Sequence, residues 1–319
     1  MRKSIFLFTI LCIALTAKAD LYAQDHENVE QVGIIFIQWQ MIWDVAIADD
    51  LAYVATGGTG LHIVDVSDLE NSEVIGYWYD NPGIARDVMV SGDYAYIADG
   101  SGGLRVISVA NPEHPEEVGY YYTPGIAYGV AVSDDYVYIA DHESGLRVIS
   151  VADPEHPEEM GYYDTFGWAR GVTVYGDYAY VANGGSGLRV ISVADPEHPE
   201  EVGYCGTPES DRGVTVSGDY AYVVGGCGLR VISVANPEHP EEVGYYDTPG
   251  SASDVALSDD DLIYVADYTN VGIYRFIDPA KVDDSFILHP SPRLSQPLQH
   301  INDNFLSIAR SVTGIIATV

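Results

Sequence analysis

GLRVISVANPEHPEEVGY, Gly103–Tyr120, returns almost letter for letter at Gly145–Tyr162, Gly187–Tyr204 and Gly228–Tyr245. Eroded copies stand at Gly60–Tyr77 and from Gly272 onward, so the opening glycines are spaced 43, 42, 42, 41 and 44 residues apart. A fixed period of this size marks one supersecondary unit that cannot bury its own apolar faces and must stack on its neighbours.

Working outward from that stretch, each unit holds four short runs of strand character divided by turn residues. In the unit beginning at Glu116 these are EEVGYYY, GVAV, YVYIAD and LRVISV, and ADPEHPEE then crosses to the next unit. HESG separates the third run from the fourth, and the second and third runs meet at a tight turn, Ser133-Asp134-Asp135 here and Gly92-Asp93, Gly176-Asp177 or Gly218-Asp219 in other units. Glycine there takes the positive φ of a two-residue hairpin. Tyr94, Tyr96 and Ala98 lie on one side of their strand and Ala95 and Ile97 on the other. A sheet apolar on both faces is sandwiched between two similar sheets, and four-stranded sheets stacked radially make a β-propeller. A β-helix has shorter coils and lacks these antiparallel turns.

The inner strands begin at Asp44, Asp87, Gly129, Gly171, Gly213 and Asp254, which predicts six blades. EQVGIIFIQ, Glu30–Gln38, matches the outer strand EEVGYYYTP, while the last unit, Asp254–Phe276, has only three strands. The expectation is an all-β, six-bladed propeller of four-stranded blades over residues 30–277, closed by an N-terminal outer strand that completes the last blade. LHIVDV at Leu61–Val66, with LRVISV at Leu104, Leu146, Leu188 and Leu229, resembles the repeat of the LVIVD-repeat β-propeller proteins. The resemblance implies an exported, surface-associated propeller of largely unassigned activity.

The remaining segments are read from composition. Residues 1–19 pair Arg2 and Lys3 with an apolar run from Ile5 to Leu15 and a small-residue exit at Ala17-Lys18-Ala19, the pattern of a signal peptide. The run is too short to span a bilayer, so the mature chain is expected to lack a transmembrane segment and to be secreted or held at the cell surface. Residues 20–29 form a linker. Residues 278–319 are a linker and a divergent tail, in which RLSQPLQH, Arg293–His300, is what a one-base shift gives from codons for Ala-Tyr-Pro-Asn-Pro-Phe-Asn. That motif resembles the opening of the sorting domains of type IX secretion, so the tail reads as a degenerate sorting domain.

The net charge of −34 becomes −37 when cleavage after Ala19 removes Arg2, Lys3 and Lys18 and no acid. Such a surface excludes nucleic acid as a partner, because counterion release would run in reverse. Cys205 and Cys227 are the two thiols beyond the leader, and spacing leaves a bridge between them open. His114, His156, His198 and His239 lie one per crossover, too far apart to gather as metal ligands. Neither these nor Asp259, Asp260 and Asp261 have the spacing of a metal site. No nucleophile elbow, phosphate loop or thiol redox pair is present. No cofactor is called for.

The residue just before each inner strand is expected to line the central mouth: Trp43, Arg86, Tyr128, Arg170, Arg212 and Ser253. Arg forks suit a carboxylate or phosphate, and Trp and Tyr offer stacking faces for sugar rings or peptide side chains. The alternative is that these arginines pair with Asp87, Asp99 or Asp141 and stiffen their loops. Arg105, Arg147, Arg189 and Arg230 recur at one strand position and read as structural ion pairs. The chain therefore reads as a monomeric binding module for a protein, peptide or carbohydrate ligand with an anionic group. Catalysis is the competing reading, a lactonase-like or carbohydrate-active hydrolase or lyase at the same mouth. That reading needs acids and a base there, where the sequence offers Arg and aromatics without His.

Overall fold

A computed structural model describes residues 41–68, 71–79, 83–258, 262–267 and 270–277. Five four-stranded antiparallel sheets and one three-stranded sheet make six blades, each a simple meander in chain order. Blade one runs Asp44–Ala48, Leu51–Ala55, Leu61–Asp65 and Glu73–Trp78 from the axis outward. Blade six consists of Ala252–Leu257, Leu262–Asp267 and Asn270–Arg275. The proposed closing strand, Glu30–Gln38, lies outside the described residues, as do the leader, the linker at 20–29, Asp259–Asp261 and the sorting-like tail. Among the described residues no helix is long and apolar enough to cross a membrane.

The cores lie between blades. Ala95 and Ile97 of blade two pack with Tyr53, Leu61 and Ile63 of blade one, while Tyr96 and Ala98 pack with Val130, Val137 and Ile139 of blade three. Both faces of the second strand are therefore buried in blades one to five, which is why the two-sided apolar pattern was decisive. The glycine of each outer strand has its own reason. A Cβ on Gly119 would sit 2.1 Å from the carbonyl oxygen of Pro154 in the following crossover. On Gly203 it would sit 2.2 Å from that of Pro237. In blade five the crossover is replaced by Phe276, whose ring lies 3.1 Å from the Cβ position of Gly244 and stacks edge-on against Tyr220.

Two inner strands begin earlier than the sequence predicts. Blade five starts at Asp211 and blade six at Ala252, each with a register shift that leaves Arg212 and Ser253 as the extra residue. The repeat alignment marks the regular ladder, but a β-bulge adds a pair before it and turns the bulged side chain away from the pleat. The strand arginines pair as expected: Arg105 with Asp99 at 3.2 Å, Arg147 with Asp141 at 3.7 Å, Arg189 with Glu201 at 3.2 Å and Arg230 with Asp247 at 2.9 Å. Cys205 and Cys227 are free thiols. His156 and His198 bond the Asp three residues before them in exposed turns.

Candidate functional site

The backbone that presents the mouth is fixed from two sides. The amides of Trp43, Arg86, Tyr128 and Arg170 each donate to the last carbonyl of their own blade's second strand, at Ala55, Ala98, Ala140 and Ala182, all at 2.9 Å. The alanine preceding three of them pairs with the hairpin of the blade before, as Ala85 with Gly57, Ala127 with Gly100 and Ala169 with His142. Those hairpin residues all have φ near +50 to +60°: Gly57 at 61°, Gly100 at 53°, Gly184 at 57° and, in place of glycine, His142 at 51°.

All six residues expected at the mouth, Trp43, Arg86, Tyr128, Arg170, Arg212 and Ser253, line one cavity of about 370 Å³. The Arg86 guanidinium lies over the Trp43 ring at 4.8 Å and over the Tyr128 ring at 4.2 Å. The other ring in contact with Tyr128 is His142, stacked at 5.1 Å, and His142 stacks in turn on Trp168 at 5.6 Å with the planes 10° apart. Arg170 completes the series, 5.7 Å from the Trp168 centroid. Two guanidiniums and four stacked or facing rings thus form one continuous series around four blades, each contact of the kind worth about 0.5–1.5 kcal/mol. Neither Arg86 nor Arg170 makes an ion pair among the described residues, and the Nε of each has no hydrogen-bond partner there. Asp99 and Asp141 serve the strand arginines instead.

One position deeper, the floor is divided. Blades six, one and two place Asp254, Asp44 and Asp87 in the cavity, whereas blades four and five place Gly171 and Gly213 there. The carboxylates bridge blades: Asp44 accepts from Val88 N at 3.1 Å and Asp87 from Val130 N at 2.8 Å. Glycine is required on the other side because the blades approach more closely. A Cβ on Gly129 would sit 2.6 Å from the Arg170 carbonyl oxygen, and one on Gly171 2.5 Å from that of Arg212. Burial, the charge of Asp44 and a hydrogen bond to it push the Asp87 carboxyl well above the usual carboxylate range. Enclosure by the cavity floor, then the charge of Asp44, push Asp254 up to about 6, although its side chain is open to the cavity water. Burial, then Arg170, hold the His142 imidazole below its ordinary value.

Sequence reading missed the acids because their positions served only to mark strand starts, and it missed His142 because that residue lies on a different loop from the ring. The expectation of a mouth without acids is corrected by Asp44, Asp87 and Asp254, whereas His142 stands outside the cavity lining and reaches it through Tyr128. His142 and Trp168 were findable as places where the repeat breaks its own pattern: glycine stands at the first in other blades, and Ile84 and Ile126 at the second. Among the described residues no group of three or more His, Cys, Asp or Glu is arranged to hold a metal ion.

A family model described as LVIVD repeat matches residues 41–75, 82–123, 124–165, 166–207 and 210–248. No curated protein matches the chain. Among solved structures, a functionally unknown protein from Desulfotomaculum acetoxidans DSM 771 superposes with a TM-score of 0.63 and 17% identity, covering 77% of this chain and 87% of that one. The RRP9 WD40 repeats give a TM-score of 0.61 and 13% identity over 75% and 77% of the two chains. The computationally designed Ika8 protein gives 0.59 and 8% over 74% and 71%. At these identities the likeness is one of fold alone.

Proposed function

The chain belongs to the LVIVD-repeat family, and from that premise we propose that it is an exported binding module whose mouth captures a ligand by an anionic group. One observation carries the reading: Arg86, Arg170 and Arg212 line a single cavity in a chain of net charge −34, and aromatic faces, with no ion pair among the described residues, hold the first two. Aromatic faces fix a guanidinium in place without neutralising it, so its positive field remains available to a ligand. The leader at residues 1–19 supports export to the cell exterior.

The test is the double substitution Arg170→Ala, Arg212→Ala, assayed by calorimetry against small carboxylates and phosphates. The fold should survive, and retention of an anionic probe should fall more at low salt than at high salt, since exposed charges are screened over about 8–10 Å at physiological ionic strength. Equal retention by both proteins at low salt would sink the reading.

A second reading is favoured by the floor. A carboxyl at Asp87 whose proton affinity is raised by burial and by the neighbouring Asp44 resembles a general acid next to a stabilising or nucleophilic carboxylate, as in hydrolases and lyases. Asp87→Asn separates the two: a binding module keeps its affinity, whereas an enzyme keeps binding and loses turnover of lactone or glycoside substrates.

A further inference from the structure

The repeats act as controls on one another, and the departures from the pattern gather at one place on the rim. Among the described residues four non-glycine residues have positive φ: Asp49, Asp134, His142 and Phe166. The first two sit in hairpin turns where Gly92, Gly176 and Gly218 do the same task, and Asp tolerates that conformation. The other two lie on neighbouring blades, His142 on the hairpin of blade three, where it bridges Ala169, and Phe166 three residues before Ala169 on the loop into blade four. At their positions other blades carry Gly100 or Gly184, and Pro124 or Pro208. Left-handed backbone in a non-glycine residue costs on the order of 1 kcal/mol or more, and such strain gathers at ligand sites.

His142 stacks on Trp168, which is 48% exposed, and Phe166, two residues before Trp168 in the chain, is 81% exposed. Through His142 and Tyr128 the platform joins the mouth without a break, and Arg170 lies over Trp168 between the two. The rim positions equivalent to Trp168 in blades five and six are Ser210 and Ser251, so the aromatic surface faces one way only.

Resting on the mouth reading above, we propose that this rim is a second subsite and that the ligand is an acidic oligosaccharide, with a uronate carboxylate against Arg170 and Arg212 and the adjoining pyranose ring on Trp168 and Phe166. Three features select this class. The negative face of an indole or phenyl ring attracts the polarised C–H groups on one side of a pyranose. The carboxyls of Asp44, Asp87 and Asp254 on the floor give hydrogen-bond acceptors for ring hydroxyls, which a ligand without donors would leave unanswered. The chain's net charge of −34 repels densely charged polyanions, but a sugar chain with one charge per ring can place each carboxylate where the arginines are.

The experiment measures binding of glucuronate, tetragalacturonate, neutral cellotetraose and a Trp-containing acidic peptide to the full chain by calorimetry. Two variants accompany it: Arg170→Ala with Arg212→Ala, and the reversions His142→Gly with Trp168→Ile, which install residues already accommodated in other blades. Tetragalacturonate should bind more tightly than glucuronate, and the rim reversions should cut that tetramer-to-monomer ratio about tenfold, because any loosening of Arg170 on removal of Trp168 weakens both ligands alike and cancels in the ratio. The arginine variant should weaken both acidic sugars. Equal affinity for the tetramer and the monomer, or a gain that survives the rim reversions, would overturn the subsite and leave the mouth reading standing. Preference for the peptide, or no binding of either acidic sugar, would overturn the sugar class. Acidic-sugar binding that ignores Arg170 and Arg212 would overturn the mouth reading itself.

Discussion

The chain uses arginine in two ways. On the strands, Arg105, Arg147, Arg189 and Arg230 each face a carboxylate and lie within 5.3 Å of a tyrosine ring centroid. At the mouth, Arg86 and Arg170 keep the aromatic contact and have no carboxylate among the described residues. The strand arginines are written identically in four units and each keeps a carboxylate and a tyrosine, although the carboxylate comes from the hairpin at Asp99 and Asp141, the outer strand at Glu201 and the following loop at Asp247. The mouth positions read Trp, Arg, Tyr, Arg, Arg and Ser. An internal repeat holds its scaffold contacts constant, so the variation within it points to the part of the molecule that meets something else.

Breaking the strand pairing should give the largest effect. Asp141 is fully buried, accepts from Thr123 Oγ1 at 2.6 Å and Gly125 N at 2.8 Å, and faces Arg147. Asp141→Ala leaves all three unanswered and should lower stability by about 3–5 kcal/mol, read as a drop of roughly 6–20 °C in a thermal melt. The two halves of the floor give the next test. Gly171→Asp would copy the acidic arc onto the glycine arc, and the Cβ clash with the Arg212 carbonyl should destabilise by about 1–3 kcal/mol. A variant as stable as the parent would show that the close approach of those blades is not what requires glycine.

A smaller effect follows from pH. Asp254 titrates at about 6 and Asp211, raised chiefly by burial, at about 7, against roughly 3.9 in an unfolded chain. A raised carboxyl binds more protons in the folded state, so its contribution is complete below pH of about 4 and fades as pH climbs through 6 and 7. Melting temperature should fall across that window, and Asp254→Asn should flatten the lower part and Asp211→Asn the upper. Identical slopes in parent and variants would assign the trend to overall charge repulsion. Smallest of all, Arg170→Ala should leave the melting temperature within about 2 °C, in contrast to the strand arginines.

The fold was legible because a period near 42 residues, two-sided apolar strands and hairpin turns agree with each other at every level. The mouth was half legible. The ring residues follow from where a first strand starts, and all six line the cavity. The bulges at Arg212 and Ser253 were invisible because a bulge changes hydrogen-bond pairing without changing the hydrophobic pattern. The contact of His142 with Trp168 was not legible, although each breaks the repeat pattern, because they come from different loops that the backbone bridge of Ala169 to His142 brings together.

That backbone fastening has a consequence for engineering. The chain at the mouth is held by amide-to-carbonyl bonds at 2.9 Å, whichever side chain it carries: indole at Trp43, guanidinium at Arg86 and Arg170, phenol at Tyr128. Recognition chemistry is thereby uncoupled from scaffold geometry. The four ring positions fastened this way, Trp43, Arg86, Tyr128 and Arg170, form a ready-made randomisation set, in which residues can be permuted among blades to display new chemical groups on an unaltered frame.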